Sequence, residues 1–310
     1  MTGSRHAVPD LTVGLPVYNG ERYLSGSLDS ILGQSYSDFH LIISDNASVD
    51  STRDICEEYA SRDERITYIR QKKNMGGAWN FNTVVHHAAS PLFKWISHDD
   101  LTGEGFLELC MAEFTDAPDD VILCYPRTIL IDGDGENIGD FDDNLDLRQE
   151  SSCARLRGYL DNYKMSNPIF GVIRKDLLTR TSLLGSYASS DKVLMAEMAI
   201  VGQFWEIPDR LFLRRYHEEM SRKANVTPDE VAAWFDPNHP HPVSMTRSKL
   251  YLEYMRSIAS AQLGLSPAER ARCMKEMVVS GGLHELRVVG GEMKRETKIG
   301  LVRTKKRLIG

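Results

Sequence analysis

The stretch Lys94-Trp95-Ile96-Ser97-His98-Asp99-Asp100 places the strongest constraint on the chain. Phe93 to Ile96 is apolar and aromatic with one lysine inside it, the pattern of a buried strand near its end. A small polar residue, a histidine and two adjacent aspartates follow, where the strand should stop. Neighbouring carboxylates there repel one another and lose hydration. A fold keeps such a pair when a cation neutralises it, and Mg²⁺ or Mn²⁺ takes oxygen ligands that it shares with substrate phosphates. Open α/β sheets bind ligands outside the carboxyl ends of their strands. The plain alternative is that Asp99 and Asp100 cap a helix suggested by Gly105-Phe106-Leu107-Glu108-Leu109. For the pair alone that alternative is slightly favoured; the neighbouring segments reverse it.

Upstream, Leu11 to Val17 is a short apolar run interrupted by Pro16, a buried parallel strand with its exit loop Tyr18-Asn19-Gly20. Glu21 to Leu32 has helical apolar spacing. Phe39 to Ser44 is a second buried strand ending at Asp45, and Asp50 or Ser51 opens a helix through Tyr59. Ile66 to Ile69 is a third strand, Gln71 to Gly77 a polar loop, and Trp79 to Ala89 a helix containing His86 and His87, read as surface or core filling. A helix from Gly105 to Phe114 follows the aspartates. This alternation predicts an α/β fold with a doubly wound, mostly parallel sheet flanked by helices.

Downstream the rhythm changes. Val121 to Tyr125 and Thr128 to Ile131 are expected as separate strands, with a hairpin turn at Asp132 to Glu136. A calcium loop there is rejected, because the sixth and twelfth positions are Asn137 and Asp143. Asp140 to Asp146 reads as an acidic, mobile segment and Cys153 to Tyr163 as a helix. Ile169 to Ile173 reads as a strand, Arg174 to Leu178 as the start of a helix and Asp191 to Val201 as another helix. Gln203 to Ile207 and Arg210 to Tyr216 are expected to finish the sheet. Prolines then mark a linker, and Ser248 to Leu263, Pro267 to Val279 and Leu283 onward are helical. The division is a 1–225 domain, with a donor half about 11–130 and an acceptor half about 131–225, and a helical extension 226–310.

With 42% hydrophobic and 26% charged residues in 310, the chain has the composition of an ordinary globular protein with a sizeable core. A formal net charge of -7 gives no electrostatic case for nucleic acid. Five scattered cysteines without a C-x-x-C read as reduced, mostly buried thiols. Met1 to Asp10 lacks an apolar h-region and no run is long enough for a membrane span, so a cytoplasmic location is expected. Lys294 to Arg307 carries seven lysines or arginines. A solvated or partner-facing helix is the favoured reading; peripheral contact with anionic lipid on the inner membrane face is the sharper alternative. The C-terminal helices are the segment suspected of homodimer contacts.

Four loops, after Val17, Ser44, Ile69 and Ile96, fall on one edge of this sheet. Asp45 is placed to accept hydrogen bonds from a base or ribose, Asn74, Gly76 and Gly77 offer an amide and close-approach backbone, and Asp99 and Asp100 offer a cation site. Here the chain resembles family 2 glycosyltransferases. Leu15-Pro16-Val17-Tyr18-Asn19-Gly20-Glu21-Arg22-Tyr23-Leu24 is similar to their opening, and Ser44-Asp45-Asn46-Ala47-Ser48-Val49-Asp50-Ser51-Thr52 to their D-x-S-x-D-x-T segment. Asn74-Met75-Gly76-Gly77-Ala78-Trp79-Asn80 is similar to their N-x-G-x-x-x-A/N loop, and Ser97-His98-Asp99-Asp100 to their DXD motif. The resemblance runs over about Leu11 to Met220. It implies a GT-A, Rossmann-like fold and a metal-dependent, inverting transferase using UDP, dTDP or GDP sugars. The acceptor would be a carbohydrate, lipid-linked or small-molecule hydroxyl. It also implies Pro16, Val17, Tyr18, Asn19, Asp45, Asn74, Gly76, Gly77, Asn80, His98 and Asp99 at the donor, and Mn²⁺ or Mg²⁺ on Asp100, Asp99 and His217.

Departures from the family pattern set the remaining expectations. Ser97 stands where the family commonly has an acid, leaving both Asp99 and Asp100 as direct metal ligands to consider; Asp100 is favoured, with Asp99 helping. Ser189-Ser190-Asp191 matches the place of an acidic pair but has only the second acid, so Asp191 is the base candidate, with helix N-cap as its plain alternative. Arg214-Arg215-Tyr216-His217 resembles a late R-x-H element, although a lone histidine is more often structural. Asn167 to Gly171 and Asp140 to Asp146 are placed to shape an acceptor site. Trp79, Lys94 and Trp95 are candidates for sugar choice, with core packing as the commoner role. Two competing functions stand beside this one. A sugar-1-phosphate nucleotidyltransferase would need a glycine-rich loop after the first strand, and none is present. A catalytically silent sugar-nucleotide-binding or assembly subunit draws support from Ser97 and Ser190.

Overall fold

The structure, a computed structural model, describes residues 9–218, 228–237 and 247–279. The expectations for Met1 to Val8, for Leu283 onward and for the basic stretch Lys294 to Arg307 lie outside these residues. A nine-stranded sheet runs β3-β2-β1-β4-β8-β6-β9-β5, with β7 on β6. Its first half is β1 (Leu11–Val17), β2 (Phe39–Asp45), β3 (Ile66–Arg70) and β4 (Leu92–Trp95), parallel to one another, with β4 antiparallel to β8 on its far side. Every residue of β1 and β4 is buried, as a central parallel strand requires. Helices α1 (Leu24–Leu32), α2 (Thr52–Arg62) and α3 (Gly77–His87) connect them. A Cβ on Gly14 would lie 2.7 Å from Val84 and 2.8 Å from Phe93, so only glycine lets α3 seat this closely on β1. Pro16 is tolerated because β4 pairs with β1 only as far as Gly14.

The second half corrects several expectations. After β5 (Leu101–Thr102) and α4 (Phe106–Asp116), β6 runs unbroken over Val121–Ile131 and β9 over Gln203–Arg215. Pro126 and Pro208 look like strand breaks in the sequence. Instead the parallel register jumps from Pro126↔Ile207 to Arg127↔Arg210, so bulges absorb both prolines. The strand expected at Ile169 to Ile173 is a 3-10 turn over Asn167–Phe170 followed by β8 (Val172–Arg174), because Pro168 favours the first turn of a helix. The segment Asp140 to Asp146 is not loose. Its start lies in β7 (Asn137–Phe141), Asp143 accepts a hydrogen bond from Thr128 at 2.8 Å, and Leu145 is fully buried.

Helices α5 (Ser152–Asn162), α6 (Lys175–Leu178) and α7 (Ser190–Val201) cover this half. Beyond them lie α8 (Pro228–Phe235), α9 (Arg247–Ala259) and α10 (267–279), so the extension is helical where described. Ile258, Leu263, Cys273 and Met277 join the same buried cluster as Leu156 of α5 and Met198 of α7. All five cysteines are buried and unbridged. Among the described residues no helix is long and apolar enough to cross a membrane.

Candidate active site at the carboxyl edge of the sheet

The ends of β1 and β2 form one wall. Val17 is buried and Tyr18 is 40% exposed. Asn19 turns with φ 51°, a left-handed conformation asparagine tolerates, and its Oδ1 accepts the Val49 N–H at 2.9 Å. Asp45 is fully buried. It accepts the Ser48 N–H at 2.8 Å and the Tyr68 hydroxyl at 2.9 Å, and Arg70 stands 3.2 Å from its Oδ2. Asn74 Oδ1 accepts from Asn46 Nδ2 at 2.9 Å and from the Gly76 N–H at 2.8 Å, closing the loop on itself. Asn80 faces inward and straps the strand ends, donating to the carbonyls of Ser44 at 2.8 Å and Val17 at 3.3 Å. The two loop glycines do permit a close approach, and the chain's own α8 makes it. A Cβ on Gly76, at φ 93°, would lie 2.2 Å from the Phe235 carbonyl, and one on Gly77 would lie 2.7 Å from the Trp234 ring.

Asp99 and Asp100 do not cap a helix. Leu101 and Thr102 instead pair antiparallel with Leu213 and Phe212, which sets the acid pair beside residues 214–217. The two carboxylates then diverge. Asp100, 4% exposed, accepts the Arg215 N–H at 2.8 Å, and its Oδ2 lies 3.5 Å from Arg214 Nη1 without a hydrogen bond. Burial pushes the Asp100 carboxyl up to about 7 against the pull of Arg214. Asp99 accepts from Ser97 and faces His217, with Oδ2 to Nε2 at 3.0 Å. Burial opposes its ionisation, but His98, the His217 hydrogen bond, Arg214 and Ser97 outweigh that and hold the carboxyl well below the usual range. The structure therefore brings Asp99, rather than the favoured Asp100, against His217. His217 packs edge-on to Tyr23 with centroids 4.7 Å apart, and its buried Nδ1 has no hydrogen-bond partner. Arg215 locks the turn, donating to the carbonyls of Asp99, Asp132 and Gly133 at 2.8, 3.0 and 3.1 Å.

Among the described residues no group of three or more His, Cys, Asp or Glu side chains forms a self-sufficient metal cage. Asp99 Oδ2 and His217 Nε2 nonetheless converge, an oxygen and a nitrogen ligand at one point. That fits an ion whose remaining positions are filled by water and phosphate.

Asp191 lies in the first turn of α7. Ser189, at φ 66°, occupies the N-cap, so the capping alternative for Asp191 fails. The Ser166 hydroxyl donates to Asp191 Oδ2 at 2.6 Å. Burial pulls the Arg214 pKa down, but Asp100, 3.5 Å away, together with Asp99, Tyr216 and Asp191, outweighs it and holds the guanidinium charged. Trp95 and Lys94 belong to the core, the first donating to the Phe81 carbonyl at 3.0 Å. His86 and His87 are exposed at the end of α3. Ser166 and Trp234 were invisible to sequence reasoning, because an isolated serine and a helix far along the chain carry no motif.

Comparison with known proteins places the chain. Residues 12–166, half of its length, match the model of glycosyl transferase family 2. The putative glycosyltransferase EpsE of Bacillus subtilis is 38% identical over 95 residues, covering 30% of this chain and 34% of EpsE. The first curated relatives are each matched over 16% to 38% of their own length. Among solved structures, S. aureus TarS 1–349 in complex with UDP-GlcNAc superposes with TM-score 0.55 at 16% identity, covering 86% of this chain and 79% of that one. The mannosyltransferase PcManGT from Pyrobaculum calidifontis, in complex with GDP-Man and Mn²⁺, superposes with TM-score 0.52 at 16% identity, covering 92% and 84%. These likenesses establish the GT-A fold.

Proposed function

The chain belongs to glycosyl transferase family 2, and from that premise we propose that it moves a sugar from a nucleoside diphosphate sugar to an acceptor hydroxyl. The observation that carries this reading is the pairing of two acid sites, Asp99 with His217 and Asp191 with Ser166, linked where the Tyr216 hydroxyl, next to His217, meets Met165, next to Ser166. Support for the donor comes from the relatives of known structure, which bind UDP-GlcNAc or GDP-Man. UDP, dTDP and GDP sugars are the donors to test.

In this reading Tyr18, Asn19 and Asn74 receive the base and ribose. Asp45, expected there from the sequence, is fully buried and acts on that wall through the Ser48 N–H, the Tyr68 hydroxyl and Arg70, which it holds in place. Pro16, Val17 and Asn80 position that wall, and His98, which packs against Gly20, is assigned to the diphosphate. Asp99 and His217 hold Mn²⁺ or Mg²⁺, with Asp100 bracing the turn. Once bound, the ion supplies positive charge to offset the diphosphate. The remaining work belongs to side chains. Arg214 adds a fixed positive charge that needs no reorganisation during reaction. Asp191 accepts the proton of the acceptor hydroxyl as its oxygen bonds to the anomeric carbon. The bond from that carbon to the diphosphate oxygen breaks on the opposite face, so the configuration inverts.

Thermal unfolding with UDP, dTDP or GDP, each with and without Mn²⁺, tests the donor half. A ligand that binds only the folded state stabilises it by about 2.7 kcal/mol at a hundredfold excess over Kd. One nucleotide should raise the melting temperature, and more so with metal. No rise with any of them would sink the reading.

A further inference from the structure

Asp191 has one neighbour positioned to control it, and Ser190 is not that neighbour. The Ser190 hydroxyl beside it is fully buried and has no hydrogen-bond partner. Ser166 reaches Asp191 instead, at 2.6 Å. A serine hydroxyl carries one proton, and here the carboxylate takes it. Tyr163, whose hydroxyl lies 2.9 Å from Ser166 Oγ, must then be the donor in that contact. The chain therefore runs in one direction, from Tyr163 O–H to Ser166 Oγ and from Ser166 O–H to Asp191 Oδ2.

Both ends of this chain are tied to the first turn of α7. The Tyr163 ring packs on Tyr159 with centroids 5.2 Å apart, and the buried Tyr159 donates its hydroxyl to the Lys192 carbonyl at 2.9 Å. Lys192 directly follows Asp191. The loop carrying Ser166 is anchored on each side. Met165 accepts the Tyr216 hydroxyl at 3.7 Å, and Asn167 donates to Thr128 Oγ1 at 3.2 Å. Tyr216 in turn precedes His217, so one short loop spans the space between the two acid sites.

We propose that Ser166, oriented by Tyr163, is the positioning residue that fixes Asp191 for proton removal, doing the work of an acid at position 190; this rests on Asp191 being the base. Holding Oδ2 stops the carboxylate from rotating and leaves Oδ1 to meet the acceptor hydroxyl. A base displaced by about 1 Å loses up to a hundredfold in rate. Release of UDP from UDP-GlcNAc and of GDP from GDP-mannose, to water and to methyl glycosides, is measured for S166A, S166T, Y163F and D191N, alongside nucleotide binding by calorimetry. Ser166→Ala should lower kcat roughly ten- to a hundredfold and leave the donor KM within about twofold. Ser166→Thr keeps the hydroxyl and should recover most of the rate, and Tyr163→Phe should lose less than Ser166→Ala. Wild-type kcat in S166A, no recovery in S166T, or loss of nucleotide binding in step with kcat would each overturn the assignment. Failure of the underlying reading looks different: D191N would then turn over at the wild-type rate.

Discussion

Lys94 lies in the centre of the sheet, fully buried, with its ammonium 3.8 Å above the Phe106 ring and donating to the Phe170 carbonyl. Burial pushes its pKa down from 10.5 to about 7, with only partial compensation from Cys110 and Asp100. At 1.36 kcal/mol per unit, that shift corresponds to an order of 4 to 5 kcal/mol spent on keeping the folded lysine charged at neutral pH. Below about pH 7 both folded and unfolded chains hold the proton, and stability does not depend on this group. Between about pH 7 and 10.5 the unfolded chain holds a proton that the folded chain has released, so stability rises with pH. Lys94→Met removes the charge but leaves the Phe170 carbonyl unpartnered, which costs about 1–3 kcal/mol. The variant should therefore be more stable than the parent by about 2 kcal/mol at pH 7, and less stable by about 1 kcal/mol near pH 10. Urea unfolding of both proteins at pH 7, 8, 9 and 10 measures the difference. A difference that stays constant with pH would refute the reasoning, whatever its sign.

Three further substitutions probe the site. His217→Ala leaves Asp99 with only its Ser97 hydrogen bond and should weaken metal-dependent nucleotide binding at least tenfold by calorimetry, on the scale of ~1.5–3 kcal/mol for a charged hydrogen bond. Gly76→Ala combines φ 93° with a Cβ placed 2.2 Å from the Phe235 carbonyl. It should cost about 1–3 kcal/mol in thermal unfolding and shift the emission of Trp234 as α8 moves off the loop. Arg215→Met strips the carbonyls of Asp99, Asp132 and Gly133 of a shared donor. A loss of about 3 kcal/mol or more is expected by urea unfolding, and an unchanged midpoint would show that the turn holds without it.

The parallel half of the sheet was legible because β1 to β4 are continuous apolar runs between polar loops, and all four were located within a residue or so. β6 and β9 were each read as two strands, because a sequence shows that Pro126 and Pro208 cannot join a ladder but not that a bulge excuses them. The position of the acid pair at the end of β4, where the sheet's carboxyl edge lies, was legible. Which acid faces the histidine was not, because adjacent residues in an extended segment point to opposite sides and the strand phase is fixed only by pairing with β9. The glycines after Asn74 were read as backbone that a ligand could approach closely; what lies against them is the chain's own α8, which composition could not show. Ser166 had no signal, since its role comes from a contact across 25 residues.

The two-residue strand β5 has a consequence for how the protein comes into being. It pairs with Leu213 and Phe212, so Asp99 and His217, 118 positions apart in sequence, are brought into register by backbone ladder bonds. Such long-range pairings close late, because the entropy of a large loop must be overcome before the contact repays it. During synthesis, the β1 to β4 half emerges and can assemble while Asp99 still lacks His217. If that pair holds the ion as proposed, the capacity to hold the diphosphate would be acquired only after β9 has been translated and docked, and nucleotide affinity would report the last stage of folding rather than the first.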